Sequence, residues 1–198
     1  KNIEDIKKTI QFSQEHNIPI LPRGGGTSQN GQTVNRAIVL DNSKYLNKII
    51  EVDAINQTCL VEPGVVLDEL NRFLKPYGLW FPVDVSTSSR ATIGGMAGNN
   101  SAGGRSIRYG IMRDNVMSID ALLSDASEAH FGLSKDNISG LKSLFPKLMA
   151  IAEKNKNEIK TRYPKVLRRV GGYNLDALLN DTLASRPGSI GTESDVNL

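Results

Sequence analysis

The chain has 198 residues, enough for one large domain or two small lobes around a buried core. Its 39% hydrophobic and 23% charged content is that of an ordinary globular protein, and a formal net charge of +3 is too small to argue for nucleic acid. No apolar run reaches membrane-spanning length and no secretory signal pattern is seen, while the single Cys59 cannot form an internal disulfide. A reducing, cytoplasmic setting is expected, with Cys59 a small core residue.

Asn2 reads as the N-cap of a first helix, with Glu4 and Asp5 in its first turn and Ile3, Ile6 and Ile10 at helical spacing. That helix should stop near Asn17, because Pro19 cannot continue it. The run Ile18–Leu21 predicts a short strand, which opens directly into Pro22-Arg-Gly-Gly-Gly-Thr-Ser-Gln-Asn-Gly. Glycines allow positive φ and close backbone approach, so successive N–H groups can converge on an anion. Thr27 and Ser28 add hydroxyls and Arg23 adds a fixed charge. The composition points to a phosphate cradle, with a flexible surface turn as the plain alternative. Neither familiar cradle fits by spacing: Gln29 stands where a dinucleotide fingerprint needs its third glycine, and the turn holds no Lys for a P-loop.

A strand is expected over Ala37–Leu40, and a hairpin from Ile49–Val52 and Thr58–Glu62. Pro63-Gly64 then turns the chain into a helix from about Leu67 to Lys75, closed by Gly78. Trp80 beyond it is expected in the core, with packing beside a ligand at the entrance to the following glycine-rich segment as its alternative. Residues 82–110 carry six glycines and many small polar residues. Such a segment builds no core by itself, yet it is too long for an ordinary connection; a loop wrapped on a ligand explains it better than disorder. Val116–Leu123 and Glu128–Phe131 predict a second hairpin, and Pro146 opens a helix to about Thr161 with Met149, Ala152 and Ile159 on one side. Strand–helix alternation mixed with hairpins argues for an α+β fold.

Five stretches, in order, carry a family resemblance: Arg23-Gly-Gly-Gly-Thr-Ser, Val61-Glu-Pro-Gly-Val, Ala91-Thr-Ile-Gly-Gly, Asn99-Asn-Ser-Ala-Gly and Tyr109-Gly. Together they closely resemble the PCMH-type FAD-binding domain of the vanillyl-alcohol oxidase / p-cresol methylhydroxylase flavoprotein family. The branch it looks most like is the FAD-linked oxidases similar to glycolate oxidase, D-lactate dehydrogenase and D-2-hydroxyglutarate dehydrogenase. The likeness runs from Lys1 to roughly Leu175. It implies a two-lobed domain, with a small sheet lobe over 1–53 and a larger mixed-sheet lobe over 54–198, helices flanking and FAD between. It implies oxidation of a small 2-hydroxy acid by hydride transfer to FAD. A downstream cap domain would supply substrate contacts and the base, and an electron acceptor could hold the protein at the periphery of the inner membrane.

By the same resemblance, Gly24, Gly25, Gly26, Thr27 and Ser28 hold the FAD pyrophosphate, with Arg23, Gln29 and Asn30 beside them. Asp84, Ser86, Thr92, Gly94 and Gly95 pass the ribityl chain and flavin, and Asn99, Asn100, Ser101 and Gly103 line the isoalloxazine side. Asp84-Val85-Ser86 departs from the Asp-Pro-Ser frequent in the family. A further Gly-Ser-Glu-Gly-Thr-like turn is expected just after Leu198, since Gly188-Ser-Ile-Gly-Thr-Glu is only superficially like it; the chain reads as truncated there. No catalytic residue and no metal is expected within it. Some members of the family attach flavin covalently through a His or Cys near these loops; neither His16 nor His130 is expected to serve, so FAD is expected to be noncovalent. Tyr173, in Gly171-Gly-Tyr-Asn-Leu, is open between facing substrate and packing as a core aromatic. The basic stretch Lys154 to Arg169 reads as a solvated face, with steering of an anion as its alternative. Two other readings stay open: a flavin- or nucleotide-binding module without hydroxy-acid oxidase activity, and a UDP-N-acetylmuramate-reductase-like enzyme.

Overall fold

A computed structural model describes residues 1–132, 144–166 and 173–179. The chain divides into two units, Lys1–Asn115 and Val116–Leu198.

In the first unit, α1 (Ile3–His16) starts at the predicted cap. The Asp5 N–H donates to Asn2 Oδ1 (3.0 Å) and the Asn2 N–H donates back to Asp5 Oδ2 (3.2 Å), so two end donors are satisfied reciprocally. Asn17 takes the left-handed conformation (φ 51°) and ends the helix before Pro19, as the sequence predicts. His16 is exposed, close against the Phe12 ring.

Strands β1 (Ile20–Arg23) and β2 (Ile38–Asp41) pair in parallel, from Ile20 opposite Ile38 to Arg23 opposite Asp41. Parallel neighbours need a crossover of about a dozen residues, usually a helix. Here the connection contains no helix, and the glycine cradle is part of it. The expected hairpin forms from β3 (Ile49–Asp53) and β4 (Thr58–Val61), antiparallel with an irregularity between Ile49 and Glu51.

Helix α2 (Leu67–Leu74) buries Leu67, Leu70 and Leu74 at a spacing of three and four residues, which places them on one face. Val65, Leu70 and Leu74 form a core against Ile49, Val52, Cys59, Val61, Leu79, Phe81 and Ile93. Cys59 is therefore a half-buried core residue, and burial pushes its thiol pKa up. A short 3-10 turn, Lys75–Tyr77, leads to Gly78 (φ 70°), which closes the element.

Residues 82–110 are not one structureless loop. They hold α3 (Ile93–Gly98) and α4 (Ser106–Tyr109), followed by α5 (Met112–Asn115). These helices are of one to two turns, too short for hydrophobic periodicity to announce them. The core placement expected of Trp80 is corrected too: its side chain is 41% exposed, edge-on to Tyr109 (5.2 Å between centroids) with the Arg105 guanidinium over its ring.

In the second unit, β5 (Ser118–Leu122) and β6 (Glu128–Gly132) form the second predicted hairpin. His130 sits on β6, its Nδ1 2.6 Å from Asp120 Oδ1 on the facing strand. The single helix expected to Thr161 is instead two, α6 (Phe145–Lys154) and α7 (Lys156–Arg162), broken at Asn155. The Asn155 side chain donates to the Ile151 carbonyl (2.7 Å), the local competition with backbone bonding that makes Asn a poor interior residue. Ala152 and Ile159 share a core with Leu178 and Leu179, and Met149 packs against it.

Replacing Leu70 with Ala empties the centre of the α2 contact. The expected loss is about 2–5 kcal/mol of unfolding free energy, read from denaturant titration with an unchanged slope.

Candidate cofactor site

The cradle grows out of the C-terminal end of β1. Arg23 is its first side chain and faces Asp41 across the parallel pair; Arg23 Nη2 donates to Asp41 Oδ2 at 3.0 Å. The other Asp41 oxygen accepts from the Ser43 hydroxyl (2.6 Å) and the Ser43 N–H (3.0 Å). Those Ser43 bonds, then Arg23, hold the Asp41 carboxyl below its ordinary pKa of 3.8. Arg23 thus has one nitrogen anchored, while its Nε is buried without a hydrogen-bond partner among the described residues. An Arg held this way presents unused donor capacity at a fixed place.

The glycines that follow are required by what lies against them. A Cβ on Gly24 would collide with Thr92 Oγ1, and one on Gly25 would stand 3.0 Å from the Arg90 carbonyl carbon and closer still to its oxygen. The two glycine segments, distant in sequence, therefore meet closely, Gly24 on the Thr92 side chain and Gly25 on the Arg90 backbone. Gly26 adds positive φ (66°), which turns the chain at the end of the run. Thr27 and Ser28 are half-buried, with the Gln32 amide donating to Ser28 Oγ; Gln29 and Asn30 are exposed.

The second segment is held by a ladder onto 63–68. The Leu67 N–H donates to Ala91 O (3.0 Å), Ile93 N–H to Val65 O (2.8 Å), and Gly94 N–H to Pro63 O (2.8 Å). Gly94 lets this approach happen, since a Cβ there would stand 2.9 Å from Pro63 Cα. Thr92 is buried and caps α3, its Oγ1 accepting from the Gly95 N–H at 3.3 Å.

Most of the remaining predicted residues bond to their own chain. Asp84 Oδ1 accepts from the Arg105 N–H (2.8 Å), Asn100 Oδ1 from the Arg113 N–H (3.1 Å), and Ser101 O from the Met112 N–H (3.0 Å). Asn99 donates to Ser101 Oγ at 3.4 Å; Ser86 is exposed, and Gly103 is buried against Asp84. Arg90, Asp41 and Arg105 were missed by the sequence reading. Asp41 is tied to Arg23 only through strand register, which no local pattern carries.

Tyr173 lies in the second unit, 91% exposed, with its carbonyl accepting from the Tyr163 hydroxyl (3.0 Å). Gly171-Gly172, the end of the basic stretch and the Gly188 turn lie outside the described residues. Within the basic stretch, Lys154, Lys160 and Arg162 are exposed, and Arg162 pairs with Glu158 (2.6 Å). Among the described residues no group of three or more His, Cys, Asp or Glu could hold a metal ion, and no helix is long and apolar enough to cross a membrane.

Comparison with known proteins shows the family. Residues 1–132 match the FAD binding domain family. The chain belongs to that family. It is similar to D-2-hydroxyglutarate dehydrogenase of Pseudomonas putida, 34% identical over 191 residues that cover 88% of this chain and 19% of that protein. It is also similar to the glycolate oxidase subunit GlcD of Bacillus subtilis, 36% identical over 140 residues covering 69% of this chain and 30% of that one. Among solved structures, 6-hydroxy-D-nicotine oxidase from Arthrobacter nicotinovorans shares the fold, with a TM-score of 0.60 at 19% identity over 66% of this chain and 28% of that chain. The FAD binding domain described here thus has the α+β fold of the PCMH-type flavoproteins, and it spans about a fifth of the length of the dehydrogenase relative.

The residues fit FAD. A diphosphate needs several fixed donors close to the chain, and the domain offers a glycine run from which side chains are excluded and a buried Arg nitrogen without a partner.

Gly24→Ala is expected to cost about 1–3 kcal/mol of stability through overpacking. Thr92→Ala removes the clashing oxygen, leaving Thr92 Cβ at 3.3 Å, so the double variant should lose less than the two singles summed. Gly25→Ala, which meets backbone, should not be rescued. A double-mutant cycle in urea reads the coupling.

Asp41 sets a pH dependence whose sign is fixed. Its folded pKa is depressed, so its contribution is fully present above about pH 4 and is lost as the pH falls through the lowered value. The stability gap between the wild type and Asp41→Asn should therefore narrow with acidification below about pH 4, measured by denaturant unfolding across that range.

Proposed function

We propose that this domain holds noncovalent FAD in a flavin-dependent oxidoreductase acting on a small 2-hydroxy acid. The close packing of Gly24 on the Thr92 side chain and of Gly25 on the Arg90 backbone, with Arg23 beside it, is the observation that carries the reading. It joins the glycine segments into one anion-ready surface that mobile side chains do not fill. The names of the Pseudomonas and Bacillus relatives, one a 2-hydroxyglutarate dehydrogenase and one a glycolate oxidase subunit, support the substrate class.

In this reading the N–H groups of Gly24, Gly25 and Gly26, with the hydroxyls of Thr27 and Ser28, bind the pyrophosphate, and Gln29 and Asn30 close over it. Arg23 turns its free nitrogen to a phosphate oxygen while Asp41 keeps the guanidinium oriented. Thr92, Gly94 and Gly95 form the floor along the ribityl chain with Ser86 at its edge, and Asn99, Asn100 and Ser101 flank the flavin. Bound FAD supplies the two-electron acceptor for the carbon that carries the substrate hydroxyl. A cap domain supplies the base and the substrate contacts, with Tyr173 as this chain's candidate for one of them. The two-lobe arrangement belongs to the same proposal. In that proposal the small lobe is 1–53 and the larger lobe 54–198.

The test is the visible absorption of the intact protein that carries this chain. Flavin bands released on acid denaturation, and bleached by a 2-hydroxy acid, support the reading. A colourless protein that takes up no added FAD overturns it. Arg23→Ala is expected to weaken FAD binding about 10- to 100-fold, the loss of one charge-assisted bond, and Arg23→Lys should lie between. Fluorescence titration of FAD measures both.

A further inference from the structure

We infer that Asp84 is a positioning residue that acts on the cofactor through the 103–105 backbone and does not touch FAD itself; the inference rests on the FAD reading above. The resemblance puts Asp84 along the flavin, yet its carboxylate is already engaged. Oδ1 accepts from the Arg105 N–H at 2.8 Å, and Oδ2 lies 3.7 Å from Arg105 Nε.

The two segments are shaped to meet here. A Cβ on Gly103 would stand 2.5 Å from the Asp84 carbonyl carbon and closer to its Oδ1, so only glycine admits the carboxylate. The Gly103 N–H donates to Oγ of the buried Ser106, the first residue of α4, at 2.9 Å. Arg105 then lays its guanidinium 5.1 Å from the Trp80 ring centroid, and Trp80 meets Tyr109 edge-on. Residues 80–84 and 103–109 are therefore fastened at both ends: by a carboxylate on a backbone amide at one, and by an aromatic pair with an arginine at the other.

This latch fixes where the chain stands just after Asn99-Asn100-Ser101, the stretch proposed to flank the flavin. Asp84 is suited to the task because a hydrogen bond to a charged acceptor is stronger than one between neutral groups. What the position requires first is an acceptor at Oδ1, which an amide oxygen also offers. The charge strengthens that bond without being the condition for it.

That difference gives the test, made on the intact protein by FAD fluorescence titration and by the visible spectrum of the bound flavin. Asp84→Asn keeps an acceptor at Oδ1, and it is expected to hold FAD within about threefold of the wild type with an unshifted spectrum. Asp84→Ala and Gly103→Ala break the latch from its two sides, and each should weaken FAD binding about 10- to 100-fold. The double variant should be no worse than either single. If Asp84→Asn loses FAD as Asp84→Ala does, or shifts the flavin bands while Gly103→Ala leaves them unchanged, Asp84 faces the cofactor and the inference fails. If Asp84→Ala binds FAD normally, it fails as well. Should the wild type itself bind no FAD, the FAD reading fails first, and near-UV circular dichroism of the same variants still reports whether Asp84 and Gly103 act as one.

Discussion

Close packing of Gly24 on the Thr92 side chain and of Gly25 on the Arg90 backbone is the constraint on which the candidate site depends. The cradle occupies its place only because no Cβ separates it from Arg90 and Thr92. That contact is useful only if the receiving segment is itself immobile. The ladder from Leu67, Ile93 and Gly94 to the opposite strand of chain supplies this, and it ends at α2, whose leucines are anchored in the core. Burial of apolar side chains is non-directional, but here it is relayed through amide bonds into the placement of a polar loop. The hydrophobic core and the proposed cofactor site are thus one mechanical system within the first unit.

The polar side chains of the second glycine segment serve a purpose their number does not suggest. Asp84, Thr92, Asn100 and Ser106, and Asp114 just beyond them in α5, each accept a bond from a main-chain N–H. Asn71 does the same for Phe81 from α2, at 2.7 Å. A segment with little regular structure has many amides without an internal partner, and leaving them buried and unpaired is costly. Short side chains with an acceptor close to the backbone are the cheapest solution. What remains for a ligand is chiefly backbone at the cradle and one anchored arginine.

Much of this was legible in the sequence where a pattern is local. The cap at Asn2, the stop at Asn17, the β3–β4 and β5–β6 hairpins and the leucine face of α2 follow from spacing and turn residues within a dozen positions. The two glycine segments were visible as segments, but their contact was not, because a missing Cβ does not say which backbone will approach it. The parallel pairing that sets Arg23 against Asp41 was hidden for the same reason. Trp80 shows how composition misleads: a lone tryptophan beside an apolar run reads as core, yet its ring is satisfied by Tyr109 and Arg105 at the surface. Asn155 shows the reverse. Its helix-breaking tendency was present in the residue type and was outweighed, in reading, by the continuous apolar side of 149–159.

The choice of glycine and arginine over lysine at the cradle has a physical consequence. A lysine would reach a phosphate with a long, mobile chain and would lose rotamer freedom on every binding event. Arg23 is already held by Asp41, and Asp41 by Ser43, so that ordering is complete in the folded domain. Backbone donors carry no side-chain entropy at all. A site made from such parts is shaped before its ligand arrives, and its affinity depends on keeping the shape more than on summing charges. On the proposed FAD reading, the residues whose loss matters most include ones that would touch no phosphate: Thr92 beneath Gly24, Asp41 behind Arg23, and the leucines of α2 that anchor the segment bonded to 91–94.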